Sequence, residues 1–198
     1  GSHYPTGEAF RNTAYYEHFQ SLLCCTELEQ LLEQYDYRLV FYPHIEMQKD
    51  SRMFESGSDR ITIVSKETHD VQKLLMDCAL LVTDYSSVFF DVAFLRKPVV
   101  YYQFDEEEFR KYHYQKGYFD FRRDGFGPVC TTQEAMLEAL TESFENGMEM
   151  QTEYAQRTER FFPLHDGNNC RRTFEAIARL KERNKKHAAE SESLSVNL

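Results

Sequence analysis

Two adjacent serines stand between a short apolar run and a predicted helix. The run is Ala79–Val82, and the serines are Ser86 and Ser87. A continuous apolar run with polar flanks is typical of a strand that is buried on both faces of a parallel sheet. Hydroxyl groups and free backbone N–H groups at a helix start can bind a phosphate. Alternatively, one of the serines only caps the helix, and this segment alone leaves both interpretations open.

A second β-type run follows that helix and begins after Pro98. The segment therefore has the order strand, turn, helix, strand, which is the unit of parallel sheets. In such sheets, ligands bind beyond the carboxyl ends of the strands. The sequence predicts an α/β fold in which a Rossmann-like parallel sheet is flanked by helices, with the two serines at the ligand-binding edge.

A histidine follows another predicted strand. Residues Tyr37–Tyr42 have β-type composition, and Pro43 ends the strand because it cannot donate to a sheet ladder. His44 is thereby predicted to lie at the carboxyl end of a strand. Its imidazole could contact a phosphate or transfer a proton, since histidine titrates near neutral pH. The alternative is a surface histidine in a loop.

The remaining elements are predicted from periodicity and from cap residues. A single helix with one buried stripe is expected over residues 14–34. The other predicted elements are a strand at Ile61–Val64, a helix at Val71–Met76, a helix start within 104–110, a helix from Thr131 or Thr132 to about Phe144, and helices at about 149–162 and from about Cys170. An aromatic, glycine-containing loop over 112–128 is expected to form a cleft wall or to pack onto the core.

The bulk composition excludes several classes of protein. A net charge of −10 argues against nonspecific nucleic-acid binding, which needs a basic surface. The five cysteines are odd in number and form no CxxC pair, so we expect reduced thiols that serve as packing residues. No apolar run approaches the length of about 18 residues that a membrane span requires. We expect a cytoplasmic protein without a metal cluster.

Several short motifs follow one another in a recognisable order. They are Phe41–His44, Leu81–Asp91, Lys97–Pro98, Tyr101–Asp105, Lys116–Phe121, Gly127–Pro128 and Asp166–Asn168. Together they resemble the CDP-glycerol glycerophosphotransferases, the enzymes of teichoic-acid and some capsule polymer synthesis. The resemblance covers roughly residues 37–180. It implies one lobe of a GT-B-type transferase, the carboxyl-terminal, nucleotide-binding one, over residues 4–187, with a tag remnant at 1–3 and a flexible tail at 188–198.

The resemblance also implies a reaction and a site. In the family, a polymer hydroxyl attacks the phosphorus next to glycerol in CDP-glycerol, and CMP leaves. Ser86 and Ser87 match the pair that contacts the pyrophosphate, Asp91 would accept hydrogen bonds from ribose hydroxyls, and His44 would contact the phosphates and support catalysis. The complete set implied for CDP-glycerol binding is Tyr42, Pro43, His44, Thr83, Asp84, Ser86, Ser87 and Asp91.

The implied partners are a CDP-alcohol donor, a polyol-phosphate polymer as acceptor, and an amino-terminal lobe of the same protein that carries the base. No cofactor, metal ion or nucleic acid is implied, and we expect this chain alone to be inactive. A peripheral position on the inner face of the cell membrane is the alternative to a purely cytoplasmic one. The donor could instead be CDP-ribitol or a UDP-sugar, and a noncatalytic Rossmann-like interaction module is the competing class.

Two segments depart from the family pattern. Ile45–Gln48 follow Pro43-His44 where the commoner motif continues with proline, and Arg122–Phe126 are inserted before Gly127. Both departures bear on acceptor specificity, which the resemblance therefore leaves open.

Overall fold

The structure is a computed structural model that describes residues 5–106 and 118–195, with side chains up to residue 184. Residues 107–117, which include most of the predicted helix start at 104–110 and the first part of the predicted loop at 112–128, lie outside the described residues. The rest of that loop contains a short helix at Phe121–Asp124, and the rings of Phe119, Phe121 and Phe126 pack against Phe89, as the packing alternative predicts. The chain divides into two compact units, Gly1–Thr158 and Glu159–Leu198. Each unit is considered by itself.

Short parallel strands alternate with helices along most of the chain. The strands are β1 (Leu39–Phe41), β2 (Ile61–Ile63), β3 (Leu81–Thr83), β4 (Val99–Tyr102) and β5 (Val129–Cys130). The helices are α1 (Glu8–Arg11), α2 (Ala14–Leu23), α3 (Thr26–Gln34), α4 (Val71–Asp77), α5 (Phe89–Phe94), α6 (Phe121–Asp124), α7 (Gln133–Glu145), α8 (Thr152–Phe161) and α9 (Asn169–Ser195), and a 3₁₀ helix covers Ile45–Met53. In the described ranges, no helix has both the length and the apolarity to cross a membrane.

The strands form two parallel sheets. One has the order β1-β2 and the other the order β3-β4-β5. In the second sheet, Tyr101 of β4 is in register with Thr83 of β3 and with Val129 of β5. The predicted α/β class with parallel strands between helices is confirmed, although the described strands form two sheets rather than one continuous sheet.

Burial on both faces, which the sequence predicts for the run at 79–82, is found in β4 instead. All four residues of β4 are buried, whereas Leu81 and Val82 of β3 are only half-buried because β3 is an edge strand. Successive side chains of a strand point to opposite faces. The ring of Tyr101 accordingly packs against helices α5 and α6, and the ring of Tyr102 packs against α2.

The single helix predicted for residues 14–34 is wrong. The segment forms two helices, α2 and α3, that are separated at Cys24 and Cys25. Phe19 and Leu28 are nine positions apart, and at about 100° per residue a straight helix would put them on opposite faces. Because both side chains are buried in the same core, the helix has to break between them.

Helix boundaries with a local signal agree better with the prediction. The Thr132 hydroxyl accepts a hydrogen bond from the Ala135 N–H group and caps α7, as expected. In helix α9 of the second unit, Phe174, Ile177 and Leu180 are exposed, and the backbone of the helix continues to Ser195. The flexibility expected for residues 188–198 stays a prediction.

One glycine is required by a close approach of two backbone segments. A Cβ atom at Gly127 would lie 1.7 Å from the Val99 carbonyl oxygen, so no side chain fits where the chain enters β5. The residue lies beside the first residue of the central strand. The glycine of the Gly127-Pro128 motif is therefore required because no larger residue fits at this position.

Replacing Gly127 by alanine is expected to lower the free energy of unfolding by at least about 2 kcal/mol, because β5 must move away from β4 to admit the methyl group. Denaturant unfolding monitored by circular dichroism measures the loss. Gly57→Ala is the matched control, since a Cβ atom there meets nothing within 4 Å. Equal stability of the two variants would contradict the steric argument.

Candidate functional site

Hydrogen bonds from its own backbone and from two residues beyond β4 hold the loop that follows β3. One carboxylate oxygen of Asp84 accepts from the N–H groups of Tyr85 at 2.6 Å and Ser86 at 3.0 Å. The Asp84 carbonyl accepts from Nε2 of Gln103 at 3.1 Å. The hydroxyl of Tyr85 donates to Asp105 at 3.0 Å. Residues that directly follow β4 therefore hold the loop that directly follows β3.

Ser86 and Ser87 lie in this loop but do not cap the helix. Helix α5 begins at Phe89 and its N-cap is Val88, which makes no side-chain cap bond. Ser86 is half-buried and Ser87 is exposed. No hydrogen bond within the described part of the chain involves either hydroxyl. The interpretation that a serine hydroxyl caps the helix is therefore wrong, and the role of the two hydroxyl groups in ligand binding stays a prediction.

Asp91 lies in the first turn of α5 and is exposed. Its N–H group donates to the Val88 carbonyl at 3.1 Å, while the Phe90 N–H group donates to the Ser87 carbonyl. Ser87 thus precedes α5, and about one turn separates it from Asp91. Helix α5 has only six residues, so its dipole adds little to anion binding here.

His44 follows β1 and caps the 3₁₀ helix that comes next. Its Nδ1 atom accepts a hydrogen bond from the Glu46 N–H group at 3.4 Å, and its side chain is exposed. Its own N–H group donates to the hydroxyl of Tyr15 at 3.3 Å. The position at the carboxyl end of a strand agrees with the sequence prediction. The role of the imidazole stays a prediction.

Tyr15 of α2 contacts the backbone of His44 just beyond β1, and the sequence analysis missed it. Burial raises the pKa of Tyr15 above its usual value, and the negative charge of the Asp84 carboxylate raises it further, whereas the hydrogen bond from the His44 N–H group opposes both effects. The hydrogen bond places the Tyr15 hydroxyl beside the backbone of His44. No contact in the described ranges links His44 directly to Ser86, Ser87 or Asp91.

The other predicted site residues surround these loops. Tyr42 is half-buried, while Pro43 and Thr83 are buried. The Pro43 carbonyl accepts a hydrogen bond from Nε2 of Gln48 at 3.1 Å. Gln48 is itself buried, and it is one of the residues that depart from the commoner motif. These three predicted residues therefore support the backbone of the site more than they present side chains to it.

The chemical groups at this edge suit a phosphorylated ligand. They are two hydroxyls in a fixed loop, one exposed imidazole and one exposed carboxylate. Within the described residues, no group of three histidine, cysteine or acidic side chains is arranged to hold a metal ion. The parallel strands and the loops at their carboxyl ends define a Rossmann-like α/β lobe of the kind that binds ligands at that edge.

Comparisons with known proteins assign the family. The chain belongs to the CDP-glycerol:poly(glycerophosphate) glycerophosphotransferase family, whose model matches residues 5–179. The match thus begins well before residue 37, where the resemblance seen in the motifs began, and it includes α1, α2 and α3. The family resemblance is confirmed.

Among curated relatives, the chain is 29% identical over 176 residues to the minor teichoic acid biosynthesis protein GgaB of Bacillus subtilis (strain 168), covering 89% of this chain and 19% of that protein. It is 31% identical over 108 residues to the teichoic acid poly(glycerol phosphate) polymerase of the same organism, covering 54% of this chain and 14% of that protein. The chain thus spans less than a fifth of the length of either relative.

The fold is similar to that of a solved structure. The wall teichoic acid polymerase TagF superposes with a TM-score of 0.54 at 21% sequence identity, over 79% of this chain and 38% of that one. This likeness shows a shared fold and confirms that the chain resembles part of a GT-B-type enzyme.

Replacing Tyr15 by phenylalanine removes the acceptor of the His44 N–H group. We expect a loss of about 1 kcal/mol in the free energy of unfolding and faster hydrogen exchange at the His44 amide, measured by NMR. Tyr16→Phe is the matched control on the same helix, because the Tyr16 hydroxyl donates to the Met53 carbonyl instead. Unchanged exchange at His44 in Tyr15→Phe would show that this contact does not hold the histidine.

Proposed function

We propose that this chain is the donor-binding lobe of a glycerophosphotransferase that moves glycerol phosphate from CDP-glycerol to a teichoic-acid-like or capsular polymer and releases CMP. The observation that carries the proposal is the loop of residues 84–87. Two serine hydroxyls lie in a backbone conformation that Asp84 and Gln103 already fix. Membership in a family named for CDP-glycerol supports the choice of donor.

The two serines would bind the pyrophosphate. Hydrogen bonds to a charged group contribute about 1.5–3 kcal/mol each, and little conformational freedom is lost because the loop is held in place before the ligand arrives. Asp91, one turn further along, carries a negative charge that repels phosphate but accepts hydrogen bonds from ribose hydroxyls. The two serines would thus bind the pyrophosphate of the nucleotide, and the Asp91 carboxylate would bind its ribose.

His44 would act on the transferring group. In the reaction, the acceptor hydroxyl oxygen forms a bond to the phosphorus that carries glycerol, the bond from that phosphorus to the bridging oxygen breaks, and CMP leaves with the bridging oxygen. The hydroxyl proton passes to a base in another part of the protein. Since Nδ1 of His44 accepts from the Glu46 N–H group, Nε2 would carry the proton and donate to a phosphate oxygen, which stabilises the developing charge.

Isothermal calorimetry tests the proposed donor. We expect the chain to bind CDP-glycerol with micromolar affinity, CMP more weakly, and UDP-glucose not measurably, with CDP-ribitol included to separate the two alcohols. Tight binding of UDP-glucose without binding of CDP-glycerol would favour a sugar transferase. Failure to bind any of these nucleotides would favour a noncatalytic interaction module.

The double variant Ser86→Ala/Ser87→Ala is expected to weaken CDP-glycerol binding at least about tenfold, since two charge-assisted hydrogen bonds are lost. Its melting temperature should remain within a few degrees of the wild type, because neither hydroxyl has a described partner to lose. Ser56→Ala/Ser58→Ala is the control, as these serines bond within a turn before β2. A control pair that loses as much affinity as the test pair would contradict the assignment.

A further inference from the structure

A second histidine lies at the carboxyl edge of the β3-β4-β5 sheet. His18 is on α2, one turn after Tyr15, and its side chain is exposed. Its ring stacks on that of Phe104, with 4.2 Å between centroids and 16° between planes. Its Nδ1 atom is 3.3 Å from the hydroxyl oxygen of Tyr102. One face and one nitrogen of the imidazole are thereby fixed.

The hydrogen bond to Tyr102 determines which ring nitrogen of His18 carries the proton. Tyr102 is fully buried, and burial raises its pKa to about 12, so its hydroxyl keeps its proton at neutral pH. Nδ1 of His18 is the one hydrogen-bond partner that the described residues give this hydroxyl. A buried O–H group without an acceptor would cost about 1–3 kcal/mol. Tyr102 therefore donates to Nδ1, and the neutral imidazole of His18 carries its proton on Nε2.

The Nε2–H group of His18 lies at the edge of the sheet where the candidate site lies. Tyr102 is the last residue of β4, and the following residue, Gln103, holds the Asp84 carbonyl. On α2, Tyr15 contacts the backbone of His44. Because the Nδ1 side of the His18 ring is tied to Tyr102, the opposite nitrogen is the one left at the exposed end of the side chain.

We propose that His18 is a substrate-binding residue whose Nε2–H group donates a hydrogen bond to a phosphate oxygen of the substrate. The inference rests on the proposed function and extends it to α2. The phosphate has two possible sources, the pyrophosphate of the nucleotide donor and the phosphodiester of the polymer acceptor. Tyr102 and Phe104 position the ring in either case.

Calorimetry with CDP-glycerol and with a short glycerol phosphate oligomer distinguishes the two sources. We expect His18→Ala to weaken binding of one of these ligands about tenfold, and Tyr102→Phe, which keeps the imidazole but frees its orientation, to weaken the same ligand by a smaller factor. His165→Ala in the second unit is the control. If His18 only covers the Tyr102 hydroxyl, both substitutions lower the melting temperature and neither changes an affinity.

Histidine side-chain ¹⁵N spectra give a readout that does not depend on stability. The wild type should show His18 with its proton on Nε2, and the Nε2 signal should shift when the ligand is added. Binding of a ligand with no change at His18, and with unchanged affinity in His18→Ala, would overturn the role of His18 alone. If the wild type binds neither CDP-glycerol nor the oligomer, this inference falls together with the proposed function.

Discussion

The central strand β4 is buried on both faces, and this constraint orders the rest of the first unit. Tyr101 and Tyr102 end the strand and direct large rings to opposite sides of the sheet, each with a polar hydroxyl that must be satisfied. The Tyr101 hydroxyl accepts from the Phe126 N–H group at 3.2 Å, and the Tyr102 hydroxyl bonds to His18. Each layer that covers the sheet is thus aligned with β4 by packing and by a directional bond.

The site depends on the same strand because its loops begin where β4 ends. Gln103 and Asp105 follow β4 and bind the backbone of Asp84 and the hydroxyl of Tyr85. On the other side of the sheet, α2 brings Tyr15 to the His44 N–H group. A ligand at this edge would meet groups whose positions are set by the core, which lowers the entropy lost on binding.

Elements with a local signal could be predicted from the sequence. The β-type run before Pro43 gave β1, and Thr132 gave the start of α7, because a proline stop and a cap act over only a few residues. The break between α2 and α3 was also accessible, since the positions of Phe19 and Leu28 on a straight helix do not share a face. The angular positions of the buried residues, rather than a glycine or a proline, indicate the break between α2 and α3.

The site was predictable in its loops but not in its supports. The positions of His44, Ser86 and Ser87 beyond strands β1 and β3 were predictable, because each follows a β-type run in the sequence. Tyr15 was not found, because its contact with His44 joins residues that are distant in the sequence. Gln103 was missed for the same reason. Helix α5 begins after Val88 rather than after a serine, and the bond from the Ser86 N–H group to Asp84, two residues earlier, is a local one.

The segment Ile45–Gln48, which departs from the commoner family motif, has a buried half and an exposed half with different physical roles. Met47 and Gln48 are buried, and Gln48 bonds both to the Pro43 carbonyl and to the Lys66 N–H group at 2.9 Å, so this half of the segment fixes the backbone before His44. Ile45 and Glu46 are exposed beside the imidazole. A change at a buried position alters where His44 lies, whereas a change at an exposed position alters what a ligand meets there. Under the proposed function, differences in acceptor preference are therefore to be sought at Ile45 and Glu46, where a side chain can vary without moving the histidine.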